Sequence, residues 1–165
     1  LDVVIGTVKK EYNDKTISIF ATSFGAFLTL NYLKNSLLSF NHIILRAPAI
    51  FMDKVLVNSI LRDRKVPYND LINHSVDLGI NKKIMVDNNF LQDLIENDLS
   101  NCNFKTHIDI IQGDKDEIVD VKENEKYYKS NFNDYTLYYI KGADHRFKKA
   151  GELEQILNIV TQILK

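Results

Sequence analysis

Four short runs of β-branched and aromatic residues punctuate the chain: Thr16–Ala21 (TISIFA), His42–Ala47 (HIILRA), His107–Gln112 (HIDIIQ) and Tyr135–Ile140 (YTLYYI). Side chains of this kind pack well on a pleated surface, and each run predicts a strand. Around them the apolar spacing becomes helical. Leu1, Ile5, Val8 and Tyr12 recur at the helical period, as do Ala26, Leu30, Leu33 and Leu37, and a closing stripe runs through Leu153, Ile156, Leu157, Val160, Ile163 and Leu164. The order is helix, strand, helix, strand, a long insertion, strand, helix, strand, helix. That alternation predicts an α/β fold: a parallel sheet of about four strands with right-handed crossovers and helices on both faces.

The insertion, residues 48–104, is too long for a plain crossover. It contains two helical patterns, Lys54–Arg64 and Asn89–Leu99, with the LGINKK segment between them, and Pro48 and Pro67 bracket its start. It is expected to form a cap or lid inserted within one domain that spans residues 1–165.

Composition narrows the class. At 165 residues, with 45% hydrophobic and 26% charged residues, the chain can build one core and is not disordered, collagen-like or a coiled coil. A formal net charge of -1 offers no footprint for nucleic acid or an anionic membrane. No run approaches the roughly 18 apolar residues of a membrane helix. Cys102 is the single cysteine, so no internal disulfide and no cysteine-based zinc site is expected; a reducing cytoplasm is the simplest home. The first residues, LDVVIGTVKK, lack the pattern of a signal peptide, and the chain opens on Leu1 rather than Met, which suggests that an upstream part has been removed.

The sharpest chemical signal is FATSFGAF, residues 20–27, where a strand runs straight into a helix with Ser23 at the junction. A nucleophile on such a turn stands exposed above the sheet; Ala21 and Gly25 are small enough to let strand and helix pass closely, and the Phe24 N–H would face a developing oxyanion. The pattern is G-x-S-x-G with Ala in place of the first Gly. A serine here is also an ordinary helix N-cap, so the remaining residues must decide.

A serine hydroxyl needs a base within hydrogen-bond reach and an acid to orient that base. In a parallel sheet these belong in loops after the carboxyl ends of strands. GDKDEIV, residues 113–119, follows the third strand and KGADHRF, residues 141–147, follows the fourth. His42 and His107 precede their strands and His74 lies in the insertion, which leaves His145 as the base. Among the acids Asp116 reaches furthest over the sheet end. Asp114 suits a turn cap, Asp144 would have to bend back, and Glu117 is expected to face solvent. Arg46, unusual in an apolar strand, is expected to pair with an acid near the sheet end, with a lesser alternative of binding an anionic substrate group.

With FATSFGAF, IILRAPA, IIQGDKDEIVDV and IKGADHRF in hand, the chain resembles the α/β-hydrolase superfamily. Within it, it is similar to the bacterial serine hydrolases that include feruloyl and cinnamoyl esterases and serine aminopeptidase-like proteins. The resemblance covers nearly the whole chain but only the second half of the family fold. It implies Asp116 and His145 as triad acid and base with Ser23 as nucleophile, a carboxylic ester substrate, and no cofactor or metal. Leu78-Gly79 and Phe90–Leu94 look like the small cap that shapes an aromatic-acid pocket in those esterases. Phe51, Met52 and Tyr68 would supply apolar substrate walls, though large apolar residues are as often core. The family's HG-containing loop, which gives a second oxyanion donor, has no match in this sequence.

An alternative is a truncated or non-catalytic relative with an interaction role, forming a homodimer through the bare strand edge at residues 16–21. A dinucleotide or phosphate binder ranks last, because the turn has one glycine where that fingerprint needs three.

Overall fold

A computed structural model of the chain describes residues 1–36, 38–79 and 82–165. In chain order the elements are α1 (Asp2–Glu11), β1 (Ile19–Thr22), α2 (Phe24–Asn35), β2 (Ile43–Arg46), α3 (Met52–Val55), a π-helical segment (Leu56–Leu61), α4 (Arg62–Arg64), α5 (Tyr68–Asn73), β3 (Val76–Asp77), β4 (Met85–Val86), α6 (Asn88–Glu96), β5 (Ile108–Gly113), α7 (Val121–Asn131), β6 (Tyr135–Ile140) and α8 (Glu152–Ile163). Two compact units result, one of residues 1–50 with 100–165, the other of residues 51–99.

The first unit carries a four-stranded sheet in the order β1-β2-β5-β6, with every neighbouring pair parallel. The predicted strands are therefore present in the predicted architecture. The first lies slightly later than TISIFA implies, because pairing with β2 runs from Ile19↔Ile43 to Thr22↔Arg46. β5 is buried at all six positions, as a strand covered on both faces must be, and it buries the polar Asp109 and Gln112 along with its isoleucines. Ile44, Ile111 and Ile140 from three adjacent strands pack with Ala47, Ala143, Phe147 and Ile156.

α8 docks on this cluster through Ile156, Ile159, Val160 and Ile163. The expected stripe was wider: Leu153, Leu157 and Leu164 are exposed, since they fall on the arc of the helix turned away from the cluster. In α2 the buried residues are Ala26, Phe27, Thr29 and Leu30; Leu37, the last of its expected stripe, lies outside the described residues. Among the described residues no helix is long and apolar enough to cross a membrane, and no group of three or more His, Cys, Asp or Glu could hold a metal ion.

In the second unit, helix runs from Met52 to Arg64 through the π-helical segment and ends where Lys65 turns left-handed (φ 55°). α5 and the short antiparallel pair β3–β4 are additions to the two helices that spacing predicts. Asp77 Oδ1 accepts the backbone N–H of Gly79 at 2.8 Å and of Ile84 at 2.9 Å, closing the connection between those strands. Ile80 and Asn81 of the LGINKK segment lie outside the described residues. Asp87 caps α6 by accepting from the Phe90 N–H at 3.0 Å.

Candidate active site

Ser23 sits between the last residue of β1 and the first of α2, with φ 49° and ψ −116°. A non-glycine residue at positive φ costs about 1–3 kcal/mol and persists only where its surroundings enforce it. Here they do: the Ser23 N–H donates to Arg46 O at 3.0 Å, while its carbonyl accepts from Ala26 N at 3.0 Å and Ala49 N at 3.3 Å. Among the described residues four non-glycines have positive φ, and three of them, Ser23, Ala47 and Phe147, follow the carboxyl ends of β1, β2 and β6. Backbone strain is thus gathered at one end of the sheet, where function concentrates it.

Ser23 occupies the N-cap position of α2, but its side chain makes no capping hydrogen bond. Its Oγ lies 2.9 Å from His145 Nε2 instead. On the far side of the imidazole, His145 Nδ1 lies 2.8 Å from Asp116 Oδ2. The Asp116 side chain is 0% exposed and that of His145 11%. Asp116 Oδ1 accepts two backbone N–H groups, from Ile118 at 2.9 Å and Val119 at 3.0 Å, and Oδ2 accepts a second donor, Gln112 Nε2, at 2.9 Å. Four donors compensate a carboxylate removed from water. Ser23 and His145, 122 residues apart in sequence, are brought into one line with Asp116.

The loops after β5 and β6 are tied to each other. Lys115 N donates to Ala143 O at 3.0 Å, Asp114 Oδ1 accepts from Gly142 N at 2.5 Å, and Glu117 Oε2 accepts from His145 N at 3.1 Å. Glu117 is exposed as expected, yet it also holds the backbone of His145, which sequence reasoning missed. Gly113 allows this approach: a Cβ there would stand 2.4 Å from Ala143 O. Gly25 is different. A Cβ at that position would meet nothing within 4 Å, so the close strand–helix passage expected to require it is not what fixes glycine there.

Arg46 departs from expectation as well. Among the described residues it forms no ion pair; its guanidinium stacks over the Phe147 ring, with Cζ 5.1 Å from the centroid. Burial pulls its pKa below the ordinary arginine value, and the nearby Asp116 carboxylate opposes that shift. Phe24 is the first residue of α2, at the positive end of the helix dipole. Of the expected substrate walls, Met52 is buried, Phe51 is half-buried with Lys54 Nζ 4.6 Å from its ring centroid, and Tyr68 is exposed; all three belong to the second unit. His107 sits before β5, Nδ1 3.0 Å from Asp134 Oδ2 and Nε2 3.3 Å from Asp109 Oδ1, away from the carboxyl end of the sheet.

Strand order, the strained serine and the loops after β5 and β6 together define the fold class: the chain has the α/β-hydrolase fold. No protein-family model matches this chain, and no curated protein matches it in sequence. Solved structures do. A protein of Agrobacterium vitis S4 superposes with a TM-score of 0.72 at 17% identity, over 96% of this chain and 65% of that one. Alpha/beta hydrolase domain-containing protein 10 from mouse gives 0.70 at 15% identity, over 98% and 67%. Est1E from Butyrivibrio proteoclasticus, with ferulic acid bound, gives 0.69 at 16% identity, over 99% and 67%. The chain therefore spans about two thirds of the length of the structures it matches.

Proposed function

We propose that this chain carries the nucleophile, base and acid of a serine hydrolase that cleaves carboxylic esters. One observation carries the reading: Ser23 Oγ, His145 and the buried Asp116 carboxylate form an unbroken hydrogen-bonded line of 2.9 and 2.8 Å. A structural serine at a helix start would use its hydroxyl as a cap, and this one does not. The bound ferulic acid of Est1E and a monoacylglycerol lipase from Paleococcus ferrophilus among the similar folds favour an ester over a peptide.

Chemistry follows from the line. Ser23 Oγ attacks the ester carbonyl carbon as its proton passes to His145 Nε2, giving a tetrahedral oxyanion that the Phe24 N–H stabilises. Collapse breaks the C–O bond, and the imidazolium returns the proton to the departing alcohol. Water then attacks the acyl-serine carbonyl as His145 takes its proton, and collapse breaks the acyl–Oγ bond while the imidazolium returns that proton to Ser23 Oγ, which frees the carboxylic acid. Asp116 keeps the Nδ1–H tautomer, so that Nε2 is free to accept.

The test is labelling with a fluorophosphonate probe, with Ser23→Ala as control, alongside hydrolysis of a short-chain nitrophenyl ester. Labelling at Ser23 that disappears in the variant supports the reading; no reaction at Ser23 overturns it.

A second reading, pairing of two copies through β1, is favoured by that strand's place at the sheet edge and by Phe20, which is 47% exposed. Light scattering tests it, since a strict monomer at high concentration rules it out.

A further inference from the structure

Gln112 is the next-to-last residue of β5 and 1% exposed, one of two buried polar side chains of that strand together with Asp109. Its amide gives away both hydrogens: Nε2 donates to Asp116 Oδ2 at 2.9 Å and to Gly113 O at 3.2 Å. Its Oε1, by contrast, is buried and has no hydrogen-bond partner among the described residues. Turning the amide over would set Oε1 against two acceptors, so this orientation is the one the neighbours allow. A buried acceptor left unsatisfied is a standing cost that a methionine of similar length would avoid. What methionine cannot do is donate to Asp116.

We infer that Gln112 is a positioning residue for the acid–base pair: its Nε2–H and the His145 Nδ1–H share Asp116 Oδ2. The backbone donors Ile118 and Val119 hold only Oδ1. Without Gln112, Oδ2 is held solely by the imidazole, whose charge changes at each proton transfer. The second donor fixes the direction of that oxygen and divides its charge, so that the carboxylate draws the imidazolium less strongly and His145 gives its proton back to the leaving group. The consequence for catalysis rests on the serine-hydrolase reading; the hydrogen bonds do not.

In wild type, NMR is expected to show a Gln112 side-chain amide proton that is downfield, slow to exchange with water, and shifted in step with the titration of the His145 ring. In Gln112→Met, the His145 Nδ1 proton moves further downfield. Fluorophosphonate labelling of Ser23 falls by about tenfold, the size of one lost charge-assisted hydrogen bond, and its half-maximal pH moves upward. A merely structural role would lower the melting temperature and leave that half-maximal pH in place. An unmoved Nδ1 proton and pH profile in folded Gln112→Met overturn the inference. Should that variant not fold, a wild-type Gln112 amide that exchanges freely or ignores His145 overturns it equally. Absence of labelling at every pH refutes the hydrolase reading alone and leaves the NMR test of Gln112 intact.

Discussion

Replacing Asp116 by asparagine changes one oxygen to an NH₂, and the surrounding donors dictate where that NH₂ goes. Oδ1 receives the Ile118 and Val119 N–H groups, so the amide oxygen must stay there. The NH₂ then faces His145 Nδ1, 2.8 Å away, and Gln112 Nε2, 2.9 Å away. Donor opposes donor unless His145 moves its proton to Nε2. That tautomer presents an N–H to Ser23 Oγ instead of a lone pair, and the base is lost. In a serine protease the equivalent change lowers turnover about 10⁴-fold, which corresponds to about 5.4 kcal/mol of barrier. The same factor is expected here in the rate of Ser23 labelling by a fluorophosphonate. Loss of charge weakens each of the two backbone bonds by about 1 kcal/mol, and relief from burying a carboxylate offsets part of this, so the variant stays folded. Asp114→Asn is the control, because Asp114 bonds the Gly142 N–H and does not touch the imidazole. Labelling of Asp116→Asn within about tenfold of wild type, with the fold intact, refutes the argument.

Gly113→Ala should prevent the loops after β5 and β6 from closing, since its Cβ would lie 2.4 Å from a backbone oxygen, and labelling should collapse together with the melting temperature; Gly25→Ala, with open space around it, should stabilise α2 by about 0.5–1 kcal/mol, and thermal unfolding distinguishes the two. Ile111→Ala removes a fully buried side chain between β2, β6 and α8 and should cost about 2–5 kcal/mol, whereas Leu157→Ala, 65% exposed, should stay within about 0.5 kcal/mol by urea unfolding. Burial pulls the pKa of His107 down, but its bonds to Asp134 and Asp109 outweigh that and raise it. Its stabilising contribution is therefore complete below about pH 6.5 and is lost as pH rises through the folded value. His107→Gln should flatten that part of the stability–pH curve, and parallel curves for the two proteins would contradict the assignment.

Strands and helices of the first unit were legible because their periodicity reports burial directly. β5 reads as a strand from its three isoleucines, which are buried because both its faces are covered, and β6 is rich in tyrosine and half-buried because it lies at an edge. The second unit was less so: the helix through Leu56–Leu61 shows in its spacing, but its π-helical character leaves no mark in the sequence, and β3 and β4 are two residues each, too short for any alternation to register. Arg46 was misread because an isolated charge in a strand suggests an ionic partner, while an aromatic face such as that of Phe147 leaves no sequence mark. Gln112 did leave one, a polar residue among isoleucines of a strand, although Asp109 leaves the same mark and only the structure shows what Gln112 holds.

Four acids clustered around the candidate site could not be ranked securely by residue type, and their contacts explain why. Asp114 holds the Gly142 N–H, Glu117 the His145 N–H and Asp144 the Arg146 N–H, each a carboxylate on a backbone donor of the loop that carries His145. Among the described residues only Asp116 reaches the imidazole as an acid. The other three fix the path of the loop, so that the His145 ring arrives between Ser23 and Asp116 without adjustment. Such ties also bear on salt dependence. Asp114, Glu117 and Asp144 make their bonds where solvent screens them, but the Asp116 carboxylate is wholly buried. Added salt should therefore loosen the base loop before it weakens the Asp116–His145 bond, and labelling should fall with ionic strength while the His145 Nδ1 proton keeps its chemical shift. A downfield signal that disappears in step with labelling would mean that the surface carboxylates and the buried one act as a single unit.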